Sequence, residues 1–77
     1  MYIVYVLEDD NGKFYKGMTN NISRRLAEHE RGKTITTGKM VNPRLVYKEE
    51  FKDKGEARKR EIYFKSAAGR RFLKTKL

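Results

Sequence analysis

The sequence predicts an α+β fold: a three-stranded antiparallel sheet with its first strand central, flanked by helices. Three observations predict it. An almost unbroken β-branched and aromatic run opens the chain, Tyr2 to Leu7, and two later segments alternate in polarity as half-covered strands do. Two stretches, about residues 22 to 31 and 53 to 66, repeat at helical spacing and carry helix-capping residues at their starts.

The first run, Tyr-Ile-Val-Tyr-Val-Leu, is apolar at odd and even positions alike, so both of its faces must be covered, which places it in the middle of a sheet. Asp9-Asp10-Asn11-Gly12 tolerates left-handed backbone angles, and the alternation of Lys13 to Met18 after it makes the pair an antiparallel hairpin. Thr19-Asn20-Asn21 supplies side-chain oxygens to cap a helix beginning near Ile22, and Gly32 is placed to end it. Lys33 to Pro43 shows no period and reads as an exposed loop. Arg44 to Phe51 reads as a third strand at a sheet edge, with Leu45, Tyr47 and Phe51 on one side and Glu49 interrupting them. Asp53, with Glu56 three residues on, resembles a capping box for a helix to about Ser66. Ala67-Ala68-Gly69 then reads as a break before a short basic helix, about Arg70 to Lys76, docked through Phe72 and Leu73.

Composition bounds the rest. Seventy-seven residues make a single domain, 1–77, with a modest core. No apolar stretch reaches the roughly 18 residues that span a bilayer, and the N-terminus lacks a secretory signal pattern, so the expected location is cytoplasmic. The absence of cysteine excludes disulfides, thiolate zinc sites and cysteine nucleophiles, and any metal must be held by oxygen or histidine. Nineteen Lys and Arg against ten Asp and Glu give a net charge of +9. That excess on a small surface favours polyanions, nucleic acid first, bound through phosphate neutralisation and counterion release.

Helical projection separates the residues that should face the sheet. Ile22, Leu26 and His29 share one face of the first helix, Arg25 borders it, and Arg24 points the opposite way. On the second helix Ala57, Glu61, Phe64 and Ala68 form one stripe, which sets a carboxylate among packing residues, where it needs a cation, a metal or hydrogen bonds. Tyr5 and Tyr15 share a sheet face if the hairpin pairs odd with odd. Their hydroxyls then meet near Arg25 and Glu61, and phenol, guanidinium and carboxylate around one pocket suit phosphodiester hydrolysis.

Ile3-Val4-Tyr5, then Tyr15-Lys16-Gly17 ten residues after the first tyrosine, then Arg25 and Glu61, resemble the GIY-YIG nuclease family over nearly the whole chain. Tyr5-Val6-Leu7, the segment Arg24 to His29 and the segment Ala57 to Glu61 resemble most closely the small stand-alone bacterial members. The resemblance implies the sheet described above and a metal-dependent endonuclease acting on DNA, in repair, recombination or processing of branched or foreign DNA. It further implies that Glu61 binds Mg²⁺ or Mn²⁺, that Tyr5 activates or orients the attacking water, and that Tyr15 and Arg25 hold the scissile phosphate. His29 would assist at the phosphate or orient a tyrosine, and Gly17 would let the backbone approach where a side chain would intrude. Lys16, Gly17, Arg24, Lys33 and Lys39 are the expected nucleic-acid contacts, with RNA as the alternative polymer to DNA. The motif departs at Ile3, where the first glycine is named, at Lys16, which replaces an isoleucine, and at Met18, where some branches carry lysine.

Taken singly, each residue has a plainer reading: Tyr5 and Tyr15 as core aromatics, Gly17 as a β-bulge, Arg25 as a surface arginine on a buried stem, His29 as a helix-end histidine, and Glu61 as a structural partner of Arg25. A non-catalytic nucleic-acid-binding module on the same fold is therefore the alternative function.

Overall fold

A computed structural model describes residues 1–30 and 40–77, without the side chain of Glu30. Its elements are β1 (Tyr2–Glu8), β2 (Phe14–Thr19), α1 (Ile22–Glu30), β3 (Arg44–Phe51), α2 (Lys54–Lys65) and α3 (Ala67–Lys74). The sheet is antiparallel in the order β2-β1-β3, so the first strand is central, as its doubly apolar sequence requires. Gly32, Lys33 and Lys39 lie outside the described residues.

Even residues of β1 point to one face and odd residues to the other. Val4 and Val6 pack with Ala57 and Phe64 of α2 and Leu73 of α3, bordered by Met18, Tyr47 and Phe51. Ile3, Tyr5 and Leu7 pack beneath Ile22 and Leu26 of α1, with Tyr15 and Leu45 beside them. Burial of a side chain as large as Phe64 or Leu73 contributes about 1.5–3 kcal/mol. The hairpin register is odd with odd: Tyr5 faces Gly17 and Leu7 faces Tyr15.

The turn between β1 and β2 is held by Asp9, which is 1% exposed. Its carboxylate accepts from the backbone N–H of Asn11, Lys13 and Val41, and Gly12 takes the left-handed angle of φ 78°. Burial would raise the Asp9 pKa, but those three N–H donors outweigh it and hold the carboxyl below its usual range. One side chain thus ties the hairpin to the entry of β3, a role the sequence reading of a simple turn tetrad missed.

Three expectations are corrected. In β3, Leu45 does not share a face with Tyr47 and Phe51: a bulge opposite Val6 and Leu7 shifts the register, and one extra residue moves Leu45 to the α1 side of the sheet. Nor does Ala67-Ala68-Gly69 break the chain's helical path for long. Ser66 turns out of α2 in an extended conformation and caps α3 through its hydroxyl, which accepts from Gly69 N. Ala68 is therefore exposed on α3 instead of extending the α2 stripe, and the buried residue there is Gly69. A Cβ at Gly69 would run into the Tyr63 carbonyl, so α3 can dock on α2 only with glycine at that position. Asp53 caps α2 through Gly55 N at 2.9 Å, whereas Glu56 pairs with Lys59 instead of returning to the cap.

Arg60 joins α2, α3 and β3. Its guanidinium lies 4.7–4.9 Å from the ring centroids of Tyr63, Phe64 and Phe72 and donates twice to Glu49, at 2.8 and 3.2 Å. The Tyr47 hydroxyl donates to the same carboxylate. The acid that interrupts the apolar series of β3 is satisfied in this way, and paired charge with aromatic cover is the form in which an Arg–Glu pair tolerates partial burial. No described helix is long and apolar enough to cross a membrane.

Candidate active site

Tyr5, Tyr15, Arg25 and His29 converge on the sheet face covered by α1. Their convergence follows from local rules. Asn21 caps α1 by accepting from Arg24 N at 3.0 Å, which fixes the helix phase. Ile22 and Leu26 then seat on the sheet, and residues 25 and 29 fall over β1 and β2. Arg24 projects away, its side chain 65% exposed, as the helical projection requires.

The Tyr5 hydroxyl is the hub. It lies 2.8 Å from His29 Nε2 and accepts from Arg25 Nε at 3.3 Å. Because Arg25 can only donate, the phenol keeps its own proton to give, and His29 Nε2 can accept it in the tautomer protonated at Nδ1. The Tyr15 ring stacks edge-on to His29, centroids 4.9 Å apart, and lies 6.1 Å from Tyr5. Tyr5 is wholly buried and His29 is 2% exposed, whereas Tyr15 and Arg25 are half-buried. Arg25 and Tyr15 are therefore the members of the cluster that solvent reaches.

Burial pushes the Tyr5 phenol up to about 12, against the opposing bond from Arg25. Burial also lowers the His29 pKa, and the Arg25 charge lowers it further. Arg25 is raised, chiefly by its bond to Tyr5. At neutral pH the cluster holds a neutral imidazole, a protonated phenol and a fixed cation.

Gly17 stands opposite Tyr5 in the register, and a Cβ there would lie 2.6 Å from the Tyr5 hydroxyl oxygen and 3.0 Å from Tyr15 Cε1. The close approach that glycine permits is thus the passage of the Tyr5 side chain over β2. This is a steric requirement of the cluster, not a β-bulge.

Glu61 is brought elsewhere. It is 7% exposed on the α2 stripe whose Ala57 and Phe64 pack on Val4 and Val6, the opposite sheet face. Its partners are Arg58 at 2.9 Å and Lys65 at 3.5 Å, not Arg25, whose acidic neighbour is Glu28 at 3.8 Å. Among the described residues Glu61 bonds to none of Tyr5, Tyr15 and Arg25. Lys16 points to the α2 side too, where burial and the charges of Arg70 and Lys65 lower its pKa. The two groups of residues flank the same edge strand, β2. An open cleft of about 470 Å³ runs past the end of that strand, lined by Met18, Thr19, Asn20, Arg24, Arg25 and Lys54 among others, and so links the α1 side to the α2 side.

No group of three or more His, Asp or Glu side chains is gathered as a metal cage among the described residues. Glu61 offers a single carboxylate flanked by cations. That donor set fits Mg²⁺ or Mn²⁺ only as an ion completed by water and by the oxygens of a bound phosphate, the form in which Mg²⁺ often binds.

Fold and cluster together define an α+β domain of the nuclease-fold type. The chain belongs to the GIY-YIG catalytic domain family, whose model matches residues 1–74. It is 42% identical over 67 residues to a UPF0213 protein of Limosilactobacillus reuteri, covering 83% of this chain and 70% of that one. A UPF0213 protein of Staphylococcus haemolyticus is 35% identical over 74 residues, covering 95% and 90%. The solution NMR structure of a UPF0213 protein from Bacillus halodurans matches with a TM-score of 0.60 at 33% identity, covering 97% of this chain and 84% of that one.

Proposed function

We propose that residues 1–77 act as a single-domain, metal-dependent endonuclease that hydrolyses phosphodiester bonds in DNA. The observation that carries this reading is the Tyr5 hydroxyl held between a neutral imidazole and a guanidinium, over a glycine that leaves room for it. Arg25, with its fixed charge at the half-open mouth of the cluster, neutralises the phosphate, and Tyr15 beside it orients a non-bridging oxygen. A water entering between them donates to the Tyr5 oxygen, while the Tyr5 proton moves toward His29 Nε2. A phenol near 12 stays protonated at neutral pH and is no base alone; burial and the Arg25 charge keep His29 neutral, so its imidazole has a lone pair to take the proton. Glu61 is the residue that would hold Mg²⁺ or Mn²⁺, and the bound ion would supply charge for the leaving oxygen. Lys16, Gly17 and Arg24, with Lys33 and Lys39, are the proposed backbone contacts.

The binding-module reading has one observation in its favour: the Glu61 carboxylate is already engaged by Arg58 and Lys65. A cleavage assay separates the two. Labelled duplex, branched and single-stranded DNA and RNA are incubated with Mg²⁺, Mn²⁺ or chelator. Cleavage should require the ion, and Arg25→Ala should reduce it at least about 100-fold while Arg24→Ala changes it little. No cleavage of any substrate, with binding retained, selects the binding module.

A further inference from the structure

We infer that Arg58, Lys65 and Arg70 form a phosphate-binding strip that runs along α2 and onto α3, carrying the nucleic-acid backbone beyond the reacting phosphate on the far side of β2. This rests on the proposed nucleic-acid substrate. The strip is contiguous: Arg58 Nη1 meets Glu61 at 2.9 Å, Lys65 Nζ meets the other oxygen of Glu61 at 3.5 Å, and Arg70 Nη2 donates to the Lys65 carbonyl at 3.4 Å. Lys16 on β2 adjoins it, since the charges of Lys65 and Arg70 reach its ammonium. Only Arg58 and Lys65 pair with the Glu61 carboxylate, and among the described residues Lys16 and Arg70 form no ion pair with any acid.

Such crowding opposes folding unless something else is gained. The arrangement also has a direction. Tyr15, Lys16 and Gly17 are consecutive on the edge strand, so a backbone lying across that edge touches Arg25 and Tyr15 on one side and Lys16, Lys65 and Arg70 on the other. Side chains of Arg58 and Lys65 are 62% and 55% exposed, open to a ligand. A polymer with charges at regular intervals fits a strip of this kind, whereas one small anion would occupy only part of it.

Binding of a labelled DNA duplex is measured in chelator, where no cleavage occurs, across a series of salt concentrations. Lys65→Gln/Arg70→Gln should weaken it at least about 10-fold and lower the slope of log affinity against log salt by about two, one per lost phosphate contact. Lys52→Gln/Lys59→Gln, which removes equal charge from exposed positions elsewhere, should cost less than about 3-fold. Arg70→Gln alone, which leaves the Glu61 pairs intact, should lower the slope by about one, and thermal melts verify that each variant is folded. Equal losses in the two double variants, or none in the first, overturn the strip. If the wild type cleaves while Lys65→Gln/Arg70→Gln binds normally, the strip fails and the nuclease reading stands. If the wild type never cleaves but the losses are as stated, the nuclease reading fails and the strip stands.

Discussion

Tyr5 is the residue whose environment decides the most. Its hydroxyl serves His29 and Arg25 at once, so Tyr5→Phe removes a buried hydrogen bond from each. That costs about 1–3 kcal/mol, and cleavage should fall about 100-fold or more in single-turnover assays, because the proton path is cut. His29 gives the pH dependence. Its folded pKa lies below the ordinary histidine value, so the unfolded chain takes up the proton first as pH falls. The contribution to stability is full above about 6.5, the ordinary value, and is lost as pH drops through the lowered folded pKa. Melting temperature should therefore fall between pH 7.5 and 5 by more in the wild type than in His29→Gln, and cleavage should fall over the same range. An identical pH response in the two proteins would remove His29 as the acceptor. Tyr5 carries the opposite sign: its raised pKa stabilises the fold below about 10, and that contribution is lost as pH rises toward about 12.

At the scale of elements, the sequence made visible what depends on period and local chemistry. The central β1, the hairpin, the phase of α1 and the cap of α2 all follow from alternation, helical projection and one carboxylate. The convergence of the candidate residues on β1, β2 and α1 was legible for the same reason: a helix phase and a strand parity place Arg25, His29, Tyr5 and Tyr15 on one face. What stayed hidden depends on contacts between elements. The β3 bulge inverts the facing of Leu45, and no residue type in Arg44–Phe51 announces it. The partners of Glu61 lie on its own helix, where an inward stripe suggested a neighbour across the sheet. Gly69 looked like a breaker because glycine usually is one, but its role is to admit the α2 backbone. Gly69→Ala should accordingly destabilise the domain by about 3 kcal/mol, since the obstacle is a backbone carbonyl that cannot swing aside. In an exposed helix the same change would stabilise by up to about 1 kcal/mol. A melt unchanged or raised in Gly69→Ala would mean that α3 docks differently.

For the whole molecule, the balance of 19 cations against 10 anions on 77 residues within a Cα radius of gyration of 12.0 Å sets association apart from chemistry. Counterion release draws on many surface cations together, whereas the proposed hydrolysis would depend on the few groups around β2. Glu61→Gln is the change that separates them. It removes a charge that repels phosphate, so affinity for DNA in chelator should hold or rise slightly, with a salt slope no smaller than that of the wild type. The fold should tolerate it: the ion pairs to the largely exposed Arg58 and Lys65 contribute only about 0–1 kcal/mol each, and burying a neutral amide avoids part of the cost of desolvating a carboxylate. Metal-dependent cleavage should nevertheless fall about 100-fold or more, because no group of three or more His, Asp or Glu side chains is gathered among the described residues to retain the ion in its place. Anisotropy titrations, thermal melts and cleavage assays on one preparation give the three readings. If Glu61→Gln unfolds the domain, or binds DNA as weakly as a charge-depleted variant, the carboxylate is a structural partner of Arg58 and Lys65 and the ion must be held elsewhere.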